Sequence, residues 1–153
     1  MTIDRSVVGV RQPSFSVTVE RGRLRFFNRV LGVTDGVFVD PAAARAAGHP
    51  DLPVPPTFLF GLGLESPDDL LTKLGIDLSY VLHVEQGFTY HRTAHAGERL
   101  TFTPVITDVY ARQGGALEFV ARDSAVTDAA GEPVADLHQV IAVRRPVPDG
   151  EAV

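Results

Sequence analysis

Hydrophobic residues in the first half of the chain recur at helical spacing. The segment RGRLRFFNRVLG, residues 21–32, places four apolar side chains on one face and ends in a glycine, which predicts a helix. A second helix is predicted at PAAARAAG, residues 41–48, because Asp40 is a good N-cap and Pro41 suits the first helical position. The prolines of HPDLPVPPTF, residues 49–58, exclude a helix there and favour extended backbone.

Two shorter helices are predicted before the pattern changes. The segment TFLFGLGL, residues 57–64, is too short and too apolar to lie in water, so it predicts a buried helix with Phe58, Leu59 and Leu62 in the core. The segment SPDDLLTKLG, residues 66–75, begins with a capping serine and two aspartates, which favour the start of a helix.

The second half of the chain has the composition of β-strands. Four long runs are rich in β-branched and aromatic residues: LHVEQGFTYHR, LTFTPVITDVYARQ, ALEFVARDSAVTD and PVADLHQVIAVRR. The short polar segments between them are typical of hairpin turns, so they predict an antiparallel meander. One further strand, SFSVTVE, precedes the first helix. The pattern predicts an α+β fold in which a curled antiparallel sheet of about five strands wraps round a central helix.

Composition narrows the class of protein. The 153 residues are 44% hydrophobic and 22% charged, which suits a single globular domain spanning 1–153 with an ordered core of about 14–145. The absence of cysteine excludes disulfides and thiolate chemistry. A net charge of −5 without a basic cluster argues against a nucleic-acid partner. No apolar run approaches the roughly 20 residues of a membrane span, and no signal peptide is evident, so a cytoplasmic location is expected.

Five segments carry a family resemblance that covers nearly all of residues 14–145. They are DPAAARAAGHPDLPVPPTF, LHVEQGFTYHR, AGERLTFTPVITDVY, GGALEFV and GEPVAD. Together they resemble the MaoC-like hydratases and dehydratases, most closely the N-terminal dehydratase domain of the fatty-acid-synthase type. The resemblance implies a hot-dog fold.

The resemblance also implies a reaction and a kind of assembly. Members of this group add or remove water across the 2,3 bond of acyl thioesters, interconverting (3R)-hydroxyacyl and trans-2-enoyl groups. The thioester is carried by coenzyme A or an acyl carrier protein, and no cofactor or metal is expected. Members form homodimers or heterodimers with a second hot-dog subunit, and long strands with an exposed edge favour such pairing.

The loop that holds the acid and base in active relatives is altered in this chain. The resemblance places an aspartate and a histidine five positions apart, shortly before an Asp-Pro turn. Aligned through Asp40 and Pro41, those positions hold Val33 and Phe38. Neither side chain can transfer a proton, although elimination of water requires a positioned acid and base.

Three hypotheses therefore remain open. The chain is a non-catalytic subunit whose hot-dog partner supplies the acid and base; or it is a self-sufficient hydratase with relocated groups; or it is a binding module for acyl thioesters. For relocated groups the candidates are Asp35, which lies in the altered loop, and His83, Glu85 and His91. Strand alternation places these last three on one face, opposite an apolar face containing Phe88.

Each candidate also has a purely structural interpretation. Asp35 in the segment TDG is typical of a turn residue that bonds its own backbone, and a polar strand face is usually solvated or in contact with a subunit. The start of the buried helix is the expected substrate-binding region, where backbone N–H groups can polarise a thioester carbonyl. The residues predicted to contact substrate are Pro56, Thr57, Phe58 and Phe60.

Overall fold

Five antiparallel strands form one sheet in the computed structural model, which describes residues 3–67, 70–112, 114 and 116–144. The strands are β1 (Phe15–Thr18), β2 (Val81–Tyr90), β3 (Arg99–Arg112), β4 (Leu117–Thr127) and β5 (Pro133–Arg144). Their order across the sheet is β1-β3-β4-β5-β2, so β1 and β2 form the two edges.

The predicted meander is correct for β3, β4 and β5 but wrong for β2. The strand β2 pairs with β5 at the far edge, because β1 already occupies the free side of β3, with Phe15 opposite Phe102. The connection from β2 to β3 is therefore not a hairpin and crosses the end of the sheet. Backbone groups of this connection form hydrogen bonds with the proline-rich segment: Ala94 O accepts a 2.8 Å bond from Val54 N, and Ala96 N donates to Leu52 O.

In the described part of the chain, four α-helices connect or cover the strands: α1 (Arg21–Val30), α2 (Pro41–Ala46), α3 (Phe58–Gly63) and α4 (Leu70–Lys73). All four lie in the segments predicted to be helical. Asp40 caps α2 by accepting a 2.9 Å hydrogen bond from Ala42 N, and the glycine predicted to end that helix, Gly48, has a φ of +91°. The two aspartates predicted to start the fourth helix, Asp68 and Asp69, lie outside the described residues.

The core lies between α3 and one face of the sheet, here called the inner face. Phe58, Leu59 and Leu62 are buried as predicted, with exposed fractions of 5%, 0% and 0%. They pack in one cluster with side chains from β3, β4 and β5: Phe102, Val126 and Leu137. A curled sheet over a buried helix confirms the predicted hot-dog architecture, although the central helix is only six residues long.

Two β-bulges bend the sheet, and an N-terminal segment packs against it. The register shifts in β2 between His83 and Glu85 and in β3 between Ile106 and Asp108, and such bulges bend a sheet. Packing extends N-terminally of residue 14, because Ile3 is buried and its N–H donates to the Glu118 carboxylate at 3.1 Å. None of the helices in the described part of the chain has the length and apolarity needed to cross a membrane.

Candidate functional site

A cavity of about 420 Å³ lies between the inner face of the sheet and the segment that contains α3 and α4. Its walls are mainly apolar side chains from both layers: Phe60, Leu70, Leu71, Val81, Val120 and Ile141. Leu64 and Leu78, which also line it, are 59% and 70% exposed and form its rim. A space of this size with apolar walls suits a small apolar ligand.

Polar side chains gather at the inner end of the cavity. Arg122 and Gln139 project from paired positions on β4 and β5, and Arg122 Nη2 donates to Gln139 Oε1 at 2.6 Å. A small adjoining void is lined by the same two residues and by Gln86, whose buried Oε1 has no hydrogen-bond partner within the described part of the chain. Burial lowers the pKa of Arg122. The apolar space therefore ends at a cluster of hydrogen-bonding groups.

His83 belongs to the wall of this cavity. Its ring stacks on Phe60 of α3, with centroids 4.8 Å apart and an angle of 8° between the rings. It makes no hydrogen bond to any of the described residues, so nothing there orients it as a base in the way a carboxylate would.

The structure does not place His83, Glu85 and His91 on one face, as strand alternation predicted. His83 is paired with Ile141, and the bulge that follows shifts the register so that Glu85 is paired with Val140, on the opposite, outer face. His91 ends on that outer side too, where its Nε2 lies 2.7 Å from Asp136 Oδ2. The three side chains do not form one site.

Asp35 has the structural role of a turn residue. It is exposed, and its Oδ1 accepts a 3.0 Å hydrogen bond from Val37 N, which caps the short 3-10 turn Gly36–Phe38. The loop is also held by buried Asn28 of α1, whose Nδ2 donates a hydrogen bond to Phe38 O at 2.9 Å. Val33 and Phe38 are both partly buried. The loop is thus an ordered scaffold in which these two positions carry apolar side chains.

Of the four residues predicted to contact substrate, only Phe60 lines the cavity. Phe58 belongs to the core, with its ring edge-on to Phe27 at 5.2 Å. Thr57 is exposed and makes no side-chain cap, and Pro56 O accepts a hydrogen bond from the Tyr90 hydroxyl. Burial raises the pKa of Tyr90 to about 12, so the hydroxyl stays protonated at neutral pH.

The amides at the start of α3 are partly occupied. Phe58 N donates to Pro55 O at 3.1 Å and Phe60 N donates to Thr57 O at 3.3 Å. These two amides are therefore engaged in hydrogen bonds within the segment in this conformation.

Sequence analysis missed Arg122 and Gln139. A signal was present, because Arg122 is a charged residue on the same face of β4 as the core residues Val120 and Val126. A charged residue at such a position is uncommon and marks a group with a specific role or partner.

The outer face of the sheet carries a more open groove of about 550 Å³. Its charged groups pair with one another across strands, as His138 Nδ1 lies 2.5 Å from Asp123 Oδ1. No three His, Asp or Glu side chains in residues 3–67, 70–112, 114 and 116–144 are grouped so that they could hold a metal ion. The inner cavity, enclosed by two layers and apolar, is the better candidate for a binding site.

The curled five-stranded sheet over a buried helix defines a hot-dog protein. The chain belongs to the family described as FAS1-like, dehydratase domain region, whose model matches residues 6–137. It is similar to a UPF0336 protein of Saccharopolyspora erythraea, with 33% identity over 99% of this chain and 97% of the relative. A UPF0336 protein of Clavibacter michiganensis is 41% identical over 82% of this chain and 85% of the relative.

Solved structures agree with this assignment. The C-terminally truncated HadBC (3R-hydroxyacyl-ACP dehydratase) complex of Mycobacterium tuberculosis contains a chain that matches with a TM-score of 0.77 and 25% identity, over 89% of this chain and 96% of that one. A chain of the ChsH1-ChsH2 complex of the same organism has the same fold, with a TM-score of 0.70 and 24% identity over 90% of each chain.

Proposed function

We propose that this chain is the acyl-binding, non-catalytic subunit of a (3R)-hydroxyacyl-thioester dehydratase or enoyl-thioester hydratase. The observation that carries the proposal is the combination of an ordered loop that holds Val33 and Phe38 with an intact apolar cavity beneath α3. A second hot-dog subunit supplies the acid and base that elimination of water requires. In dehydration the base takes the proton from C2 while the acid protonates the hydroxyl that leaves C3 as water, and hydration is the reverse, so the reaction needs no cofactor.

The substrate is an acyl group carried as a thioester of coenzyme A or of an acyl carrier protein. The cavity of about 420 Å³ accepts the acyl chain, whose apolar carbons contact Phe60, Leu71 and Ile141. Burial of apolar surface at about 25 cal/mol per Å² stabilises such a complex. This chain therefore holds the substrate while its partner performs the chemistry.

The edge strand β2 is the surface proposed to meet the partner. Its outer hydrogen-bonding side has no neighbouring strand among the residues that the structure describes, and Leu82 and Val84 of this strand are 59% and 54% exposed. An exposed apolar edge strand is a template for pairing with another chain. The likeness to a subunit of the HadBC complex supports a second hot-dog subunit there, in place of a second copy.

The geometry argues against a self-sufficient hydratase. Asp35 caps a turn, and Glu85 and His91 belong to the outer side of the sheet, away from the cavity. Only His83 lines the cavity, and an acid-base mechanism needs a second group near it.

Co-expression with a hot-dog partner that contains an intact Asp-His pair tests the proposal. We expect the complex to hydrate crotonyl-CoA and longer enoyl thioesters, and the isolated chain to give only the uncatalysed rate. Robust turnover by the isolated chain would contradict the proposal. A chain that binds acyl thioesters but adds nothing to the partner's activity would instead be a binding module.

A further inference from the structure

We infer that the acyl group held by this subunit carries a carboxylate at its far end, which Arg122 receives at the inner end of the cavity. This inference rests on the proposed acyl-binding function and specifies the class of substrate. The inference starts from the guanidinium of Arg122 in the lining of the cavity, since a purely apolar acyl chain requires no charged group there.

The first observation is that Arg122 lacks a compensating charge. No carboxylate of the described residues lies within 4 Å of it, and its assigned hydrogen bond goes to the neutral Gln139. By contrast, Arg21 and Arg92 nearer the surface each pair with a carboxylate. Arg122 is partly buried, and a cation that loses part of its hydration without gaining an ionic partner is unfavourable, so such groups are normally paired.

The second observation is that donors exceed acceptors at this end of the cavity. A guanidinium has five N–H groups, and Gln139 Oε1 accepts one of them at 2.6 Å. The Gln139 amide nitrogen is a further donor beside it. A carboxylate is the acceptor that best matches a planar guanidinium, because its two oxygens accept parallel hydrogen bonds.

The third observation concerns direction. The rim residues Leu64 and Leu78 are strongly exposed, whereas Arg122 and Gln139 also line the small void beneath the cavity. An acyl chain that enters past the rim therefore meets apolar walls first and the guanidinium last. The thioester remains outside, where the partner's catalytic groups can reach it.

Calorimetric titration of the full chain with two series of ligands tests the inference. One series contains coenzyme A monothioesters of saturated α,ω-dicarboxylic acids, and the other contains fatty acyl-CoA thioesters of matched length. At one chain length we expect the carboxylate to raise affinity by about tenfold to hundredfold, the range of a charge-assisted hydrogen bond. Arg122→Met should abolish that difference and Arg122→Lys should retain part of it.

The matched control is Arg112→Met, which removes an exposed arginine at the end of β3 that lies over the Tyr110 ring. It should leave the preference unchanged. Thermal stability separates binding from structure, because loss of a partly buried charge that has no ionic partner should leave the melting temperature of Arg122→Met equal or higher. A destabilised variant that keeps the preference would overturn the inference.

The remaining outcomes are also decisive. Equal affinity for the two series, or tighter binding of the neutral one, would overturn the inference and leave the proposed acyl-binding function standing. Failure of both series to bind would count against the proposed function itself.

Discussion

The imidazole ring of His83 lies flat on the phenyl ring of Phe60, with centroids 4.8 Å apart. One ring belongs to the edge strand and the other to the central helix, so the pair closes one side of the cavity. Phe60→Ala removes part of the apolar wall against which the acyl chain would be buried. Because each buried CH₂ contributes about 0.8 kcal/mol, the change should weaken acyl-thioester binding by roughly twofold to tenfold. Calorimetry measures this effect, and unchanged affinity would show that the acyl chain lies elsewhere.

Phe58, two residues earlier, should have a different effect when truncated. It is 5% exposed and packs against Phe27 in the core. Phe58→Ala should lower the free energy of unfolding by about 3–5 kcal/mol, because it leaves a cavity. The control is Phe26→Ala on the exposed side of α1, where the side chain is 68% accessible and a change within about 0.5 kcal/mol is expected. Urea unfolding of both variants provides the comparison.

Charge at the sheet edge should weaken subunit association. Val84 is 54% exposed on β2, and lysine on an edge strand opposes pairing with another chain. We expect Val84→Lys to reduce the fraction of the chain that sediments in complex with its hot-dog partner subunit. Val10→Lys, a change at an equally exposed valine outside the five strands, should leave that fraction unaltered. A complex that forms equally well with Val84→Lys and with the wild-type chain would refute the proposed interface.

The candidate bases should prove dispensable in the active complex. A true acid or base contributes about 10²–10⁴-fold to rate. Because Asp35 caps a turn and Glu85 and His91 lie away from the cavity, Asp35→Asn, Glu85→Gln and His91→Ala should retain turnover within about a factor of two. A collapse of kcat at any one of them, with the fold intact by circular dichroism, would identify a relocated catalytic group.

Asp51 should confer sensitivity to acid. The side-chain hydrogen bond from Arg21 and the backbone hydrogen bond from Leu52 lower the pKa of Asp51 from 3.8 to about 2. A carboxyl whose pKa is lower in the folded state stabilises the fold above its unfolded pKa, and this contribution is lost as pH falls through the folded value.

The melting temperature of the wild-type chain should therefore fall more steeply than that of Asp51→Asn between pH 3.8 and about 2. Asp108→Asn is the control, because this exposed carboxylate makes no side-chain hydrogen bond within the described part of the chain. Parallel pH profiles for wild type and Asp51→Asn would contradict the assignment.

The sequence by itself determined the helices and the strands. These depend on local signals: a capping aspartate such as Asp40, a terminating glycine such as Gly48, and alternation along each strand. Composition and spacing are sufficient for such features because neighbours in the chain decide them. That Val33 and Phe38 stand where active relatives have the base and acid is instead what the family resemblance implies, aligned through one Asp-Pro turn.

Only the tertiary structure decided the strand order and the composition of the candidate site. Pairing of β2 with β5 depends on which edges β1 and β4 already occupy, which no local pattern records. The bulge after His83 reverses which side chains face inward. Strand alternation therefore predicted wrongly that Glu85 and His91 share a face of the sheet with His83. Arg122 and Gln139 meet because adjacent strands pair in one register, a contact between residues 17 positions apart.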